Sequence, residues 1–276
     1  MNRENISLNF HETFPPTLRY IAEIVQLAAN NFIGDKEEIS EITGIPTGSG
    51  TGKVVPHIKY AKFMGLIEND IVSAGKYNLQ LTPLGRLIYS EDKYFMDRIS
   101  KYLINYFLCD KEEGAPHWSF LFNNFNYMLD SEYALSTIEE QARLYFGKNI
   151  EMTVVKSMYI KDYGFDDLKM IRESSNKNLL FERCQIQQDC YYMYGYTLLY
   201  SWEKYFKDKL EISIDEIIEG LKWSNKFGFD YNTTLEIFDE LESLGIIKMN
   251  KQLSPITIIK TSEAEEIMFK IYDLAL

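Results

Sequence analysis

The sequence predicts a mainly α protein with three parts: an N-terminal winged helix-turn-helix (residues 1–92), a central helical domain (93–208) and a second winged-helix-like unit at the C-terminus (209–276). Three observations predict it. Stretches of helical apolar spacing in the first ninety residues end in an alternating ribbon. A long, aromatic-rich, helix-periodic middle follows. A helix, a Leu-Gly-Ile-Ile exit and a ribbon then recur near the C-terminus.

The first element is strand-like, with Ile6, Leu8 and Phe10 alternating before His11 and Glu12. His11 and Glu12 are adjacent and point apart, so a cap on helix-terminal amides suits them better than a shared metal. Pro15 and Pro16 fit the first turn of a helix whose apolar face is Leu18, Ile21, Ile24, Val25, Ala28 and Ala29. Gly34 ends that helix. Asp35 is an N-cap and Glu38 completes a capping box for a short second helix.

Next comes TGIPTGSGTGKVVPHI, Thr43 to Ile58, with four glycines in nine residues and then a lysine. A phosphate-cradling nucleotide loop requires G-x-x-x-x-G-K-[S/T] after a strand. The position that needs the first glycine is Thr47, Val54 follows Lys53, and a helix precedes the stretch, so the motif fails. A third helix follows instead, with Val54, Val55, Ile58, Ala61, Phe63 and Met64 on one face, Pro56 in its first turn and Gly65 at its exit. Tyr77, Leu79 and Leu81 alternate as a strand does, and Pro83-Leu84-Gly85 opens another helix.

Read as a winged helix, the third helix is the recognition helix and the glycine-rich turn leads into it. Backbone amides and Lys53 then meet a DNA phosphate at the helix start. Thr51, Lys53, His57, Lys59, Lys62 and Lys76 are the candidate DNA-binding residues. The plainer alternative is a winged helix that mediates protein contacts, with a loose glycine loop.

Charge distribution favours DNA. The net charge of −12 argues against a nucleic-acid partner, yet residues 1–90 hold eight Lys/Arg against nine Asp/Glu. From Gly44 to Arg86 the only acids are Glu68 and Asp70, against Lys53, Lys59, Lys62, Lys76 and Arg86. The remaining 186 residues carry about −11.

The middle reads as helices at YFMDRISKYLINYFLCD, SEYALSTIEEQARLYFG and LLFERCQIQQDCYYMYGYTLLYSWEKYF, with RESSNKN as a polar break. Tyr191, Tyr192, Tyr194 and Tyr196 suit base stacking or core packing, and their acidic, helix-periodic setting favours the core. In the C-terminal part Asn232 is the expected N-cap of TTLEIFDELESLG. That helix carries Glu236, Asp239, Glu240 and Glu242 without a base, so phosphate would repel it and a protein partner suits it.

No sequence-local catalytic or metal motif appears. His11, His57 and His117 are scattered, and Cys109, Cys184 and Cys190 contain no Cys-x-x-Cys pair, which predicts buried thiols in a reducing compartment. The weak catalytic candidates are Asp162, Asp167 and Lys169 in KDYGFDDLK, resembling the acid and Asp-x-Lys pattern of metal-dependent nucleases. A solvated turn explains the same letters. No cofactor is expected, with Mg²⁺ relevant only to a nuclease. Neither a secretory leader nor a membrane span is apparent, so a cytoplasmic protein is expected.

FHETFPP directly before LRYI, followed by a winged-helix pattern with a Gly-rich turn, resembles the bacterial family catalogued as domain of unknown function 4007. The resemblance is sharpest at Phe10–Ile21 and Gly44–Leu66. It implies a DNA-contacting component of a DNA phosphorothioation or phage-defence system that includes proteins resembling phosphoadenosine-phosphosulfate reductase. DNA and the other proteins of that system are the implied partners, and homo-oligomerisation stays open. The alternatives are a metal-dependent DNA-nicking subunit of the same system and a winged-helix transcription regulator. His11, Glu12 and Arg19 match the signature stretch, which assigns them no role.

Overall fold

The computed structural model describes residues 7–48, 52–73, 75–252 and 254–275. They fall into two compact units, Met1–Phe181 and Glu182–Leu276. The boundaries expected from the sequence lie at 92/93 and 208/209.

The first unit opens with turns over residues 8–13, where a strand was expected, and Ile6 lies outside the described residues. Helix α1 (Leu18–Ala29) follows, burying Leu18, Ile21, Ala22, Ile24, Val25, Leu27 and Ala28. It stops before a two-residue strand, β1 (Ile33–Gly34), so Gly34 belongs to a sheet and not to the helix end. Helix α2 (Lys36–Thr43) starts at Asp35, whose side chain accepts from the Glu38 amide while the Glu38 side chain accepts from the Asp35 amide. This is the expected capping box. Gly44 closes α2 at φ 70°, a left-handed conformation that glycine adopts without Cβ strain.

Helix α3 (Val54–Phe63) leads through Gly65 into strands β2 (Ile67–Ser73) and β3 (Lys76–Leu81). These form an antiparallel sheet in the order β1-β3-β2. Helix α4 (Pro83–Glu91) starts at Thr82, whose hydroxyl accepts from the Gly85 amide. The same residue locks the ribbon to the exit of α3: its hydroxyl donates to the Gly65 carbonyl (2.6 Å) and its amide to that of Leu66 (3.1 Å). Gly85 is pressed against this joint, since a Cβ there would lie 1.9 Å from the Leu66 oxygen.

The rest of the unit comprises α5 (Arg98–Leu108), α6 (Pro116–Asn123), β4 (Ser131–Tyr133), α7 (Leu135–Phe146), α8 (Thr153–Ile160), β5 (Ile171–Glu173) and β6 (Leu179–Phe181). Helices α5 and α6 are almost wholly buried, and between them they contribute Leu103, Tyr106, Trp118, Leu121 and Phe122 to the core. Tyr159 from α8 donates to Asn105 Oδ1 (2.5 Å) inside that core. The short strands form a second antiparallel sheet, β4-β6-β5.

The second unit has α9 (Tyr191–Tyr205), β7 (Glu211–Ser213), a π-helical turn at Glu216–Gly220, a 3-10 turn at Ser224–Phe227, α10 (Tyr231–Ser243), β8 (Ile247–Asn250), β9 (Thr257–Lys260) and α11 (Ala264–Met268). Its sheet order, β7-β9-β8, repeats the pattern of the first sheet. The lock recurs as well: Thr261 donates its hydroxyl to the Gly245 carbonyl (2.9 Å) and its amide to that of Ile246 (3.3 Å). The cap of α10 is Asp230, whose carboxylate accepts from the Thr233 amide (2.8 Å), and not Asn232, which sits inside the helix.

About half the chain is helical and small three-stranded sheets occur three times, so the architecture is mixed α/β and not mainly α. The difference comes from β1 and β4 to β7, strands of two or three residues, too short to show a period of two.

Candidate functional site

The glycine-rich turn answers to close packing as much as to flexibility. A Cβ at Gly52 would meet Thr47 Oγ1 at 2.7 Å and Thr47 Cα at 2.8 Å, so only glycine fits as the turn folds back on itself. The Lys53 amide donates to the Pro46 carbonyl (2.8 Å), closing the turn across its base, and Lys36 Nζ donates to the Gly48 carbonyl (3.0 Å).

Lys53 is the residue at which α3 begins. Its ammonium lies 5.6 Å from the ring centres of both Phe14 and Tyr20, a cation–π arrangement that draws it back against the protein. Its carbonyl accepts from His57 Nδ1 (2.6 Å) one turn later. His57 Nε2 accepts from the Thr17 amide at the start of α1 (3.2 Å). These two bonds fix the neutral tautomer with the proton on Nδ1. Burial pushes the His57 pKa down to about 4, opposed by the bond to the Lys53 carbonyl and reinforced by the Lys53 charge. His57 is fully buried, so the ring expected at the DNA surface is an internal strut.

Tyr60, also buried, donates to the Phe14 carbonyl (3.0 Å), and burial holds its hydroxyl well above the usual phenol range. Phe10 packs edge-on against Tyr60 and Phe63. His11, expected as a helix cap, instead uses Nδ1 to accept from the Thr13 amide (3.0 Å) and places Nε2 3.4 Å from His117 Nε2 on α6.

The remaining basic candidates face outward. Lys59 and Lys62 are half-exposed on α3 and Lys76 is exposed at the start of β3. None of them has a carboxylate partner among the described side chains. Thr51 lies outside the described residues.

The acidic candidates are arranged differently. Asp162 is exposed. Asp167 pairs through Oδ2 with Lys101 of α5 (2.5 Å), while Lys169 lies 3.9 Å from Asp166. The other oxygen of Asp167 is buried with no hydrogen-bond partner among the described residues. Among the described residues no group of three or more His, Cys, Asp or Glu side chains is placed to hold a metal ion. One open carboxylate oxygen does not make a dedicated Mg²⁺ cage.

In the second unit Glu236, Asp239 and Glu240 are exposed on α10, with Asp239 ion-paired to Lys251 (2.5 Å) and Glu242 accepting from the Met249 amide (2.8 Å). Tyr194 and Tyr196 are buried, the former edge-on to Trp223, Phe227 and Phe229, so these tyrosines pack a core. Cys109, Cys184 and Cys190 are buried thiols, and burial pushes the Cys184 thiol up to about 12. No helix among the described residues is long and apolar enough to cross a membrane.

The residues the sequence did not single out are Phe14, Thr17 and Tyr20, which hold the start of α3, and Tyr60, which ties α3 to Phe14. For Phe14 the signal was its place beside the prolines just before α1.

A magnesium-ion-bound crystal structure of SspB is similar in fold, with a TM-score of 0.78 at 13% identity, over 99% of this chain and 91% of that one. A second SspB crystal structure matches with a TM-score of 0.75 at 13% identity, over 97% of this chain and 88% of that one. No curated protein sequence matches this chain. The family model described as protein of unknown function, DUF4007, matches residues 9–272, and the chain belongs to that family.

Proposed function

We propose that this protein binds duplex DNA through α3 and the β2–β3 ribbon, as the DNA-contacting component of a bacterial DNA phosphorothioation or phage-defence system. The observation that carries the reading is the pair Lys59 and Lys62, one turn apart on the outer side of α3, while Val54, Ile58 and Ala61 seat the other side in the core. Such a helix is attached firmly enough to present its charges, and ammonium groups without carboxylate partners are free for phosphate. The order α1-β1-α2-α3-β2-β3 and the sheet order β1-β3-β2 agree with a winged helix-turn-helix, in which the third helix enters the major groove. Family membership and the likeness to SspB support the setting. The acidic second unit is the side offered to proteins of the same cytoplasmic system.

The test is DNA affinity against salt for the wild type and for Lys59→Ala and Lys62→Ala, with Mg²⁺ present and the DNA inspected for nicks. Each lost phosphate contact lowers the slope of log K against log salt by about 0.9. Absence of binding at low salt rejects the reading.

The second reading, a metal-dependent nicking subunit, rests on the magnesium ion in the SspB structure. The acids around Asp167 do not form a complete Mg²⁺ site, so no step is assigned to them. Nicks lost on Asp162→Ala, Asp167→Ala or Lys169→Ala in the same assay would favour it.

A further inference from the structure

We propose that His57 is a positioning residue for DNA binding, and that the Phe14–Tyr20 segment sets affinity by holding the first turn of α3 ready for phosphate. The inference rests on the DNA-binding reading above and adds residues that touch no DNA themselves.

The geometry concentrates at one point. A single buried ring ties the Lys53 carbonyl to the Thr17 amide, joining the first turn of α3 to the first turn of α1. One turn further on, Tyr60 ties α3 to the Phe14 carbonyl. Between these two anchors the Lys53 side chain rests on the Phe14 and Tyr20 rings. Three side chains of α3 or its cap thus grip one seven-residue segment.

The grip matters because helix-start amides without intrahelical acceptors are natural partners of a phosphate, and in α3, where Pro56 has no N–H and the Lys53 amide is taken by the Pro46 carbonyl, those left are Val54 and Val55, beside the Lys53 ammonium. They serve best when they already point the right way, since ordering them on binding subtracts from affinity. The Lys53 amide is fixed by the Pro46 carbonyl and the Lys53 carbonyl by His57, so the helix start is held from both sides and His57 with its partners ties it to α1. Lys53 is also held: resting on two rings, its ammonium stays beside the helix start and keeps fewer rotamers to lose.

His57 needs both a donor and an acceptor on one rigid ring. Leucine removes both and leaves a buried carbonyl and a buried amide unpaired. Asparagine keeps an N–H directed at the Lys53 carbonyl. Tyr20 is half-exposed, and its ring lies under Lys53 and edge-on to His57 (centroids 5.1 Å), so Tyr20→Leu removes both ring contacts while leaving the two His57 hydrogen bonds in place.

The test compares duplex-DNA affinity over a salt series for the wild type, His57→Leu, His57→Asn and Tyr20→Leu, with a melting curve for each. His57→Leu is expected to weaken binding by about tenfold or more, equivalent to about 1.4 kcal/mol. Its salt slope should fall by about 0.9 as the Lys53 ammonium loses its phosphate, a readout that loss of stability alone does not move. His57→Asn should recover most of the affinity, and Tyr20→Leu should weaken binding a few-fold with a smaller drop in melting temperature than His57→Leu. A folded His57→Leu protein with unchanged affinity and slope overturns the proposal. Should His57→Leu fail to fold, unchanged binding by both Tyr20→Leu and Tyr60→Phe overturns it equally. If the wild type binds no DNA, the proposed function falls and this proposal with it; if the wild type binds and every variant matches it, only the positioning role falls.

Discussion

The Nε2 atoms of His11 and His117 lie 3.4 Å apart although 106 positions separate the residues in the chain. The rings meet edge to face, with centroids 4.8 Å apart and an interplanar angle of 76°. Because His11 Nδ1 accepts from the Thr13 amide, its proton sits on Nε2 and is donated to His117 Nε2. The His117 proton is then on Nδ1, a buried atom without a hydrogen-bond partner among the described residues. The pair is a neutral one, set between the first turns of the chain and α6.

Acid should therefore loosen the first unit. Burial pushes His117 down to about 3, with the His11 charge adding to the effect, and pushes His11 below its ordinary value against the opposing pull of Glu151. A histidine with a depressed native pKa leaves the unfolded chain holding the extra proton. Its contribution is complete above pH 6.5 and is lost as the pH falls toward the native value, at about 1.4 kcal/mol per pH unit for each such histidine. Urea midpoints at pH 7.5 and 5 measure the loss. His117→Phe should remove one histidine's share of the slope, and an identical slope in that variant would rule out a neutral His117.

Gly85→Ala is expected to destabilise the protein by more than about 2 kcal/mol, because overpacking against backbone has no side chain to absorb it. The new methyl would lie 1.9 Å from the Leu66 oxygen, at the joint that Thr82 closes. Thermal denaturation reads the change, and a shift in melting temperature within error would mean that this joint gives way easily.

Asp230→Ala should cost about 1 kcal/mol through loss of a helix cap, whereas Asn232→Ala should change stability by only a few tenths. The Asp230 carboxyl is held below its ordinary value first by the Thr233 amide and also by Arg183, so its share is present above the usual carboxylate pKa and fades in stronger acid. Comparing the two variants by chemical denaturation separates the capping residue from its neighbour.

Lys101 and Asp167 join α5 to the 3-10 turn Asp166–Leu168. Removing Lys101 alone leaves a partly buried carboxylate without its cation, and about 1–3 kcal/mol should be lost. The double change Lys101→Met with Asp167→Leu should recover part of that. A double-mutant cycle with no coupling would show that the pair contributes nothing.

Legibility in the sequence followed range. The Asp35–Glu38 capping box and the Pro83 helix start rest on neighbours within a few residues, and each stands in the structure as the sequence indicated. The meeting of His11 with His117 and the choice of Lys101 by Asp167 depend on segments brought together only by folding. Asn232 was a reasonable cap by type, but Asp230, two residues earlier, has the extended backbone that a cap requires. His57 shows the same limit from another side: a histidine beside lysines on a helix reads as a surface group until its burial is known.

The paired locks, Thr82 on Gly65 and Leu66, Thr261 on Gly245 and Ile246, give the molecule two sockets of one design. What each socket holds is a helix defined by the charges on its outer side, lysines on α3 and carboxylates on α10. Seating and charge are thus written in different residues, so selection can revise the electrostatic sign of either helix without reopening the architecture that carries it.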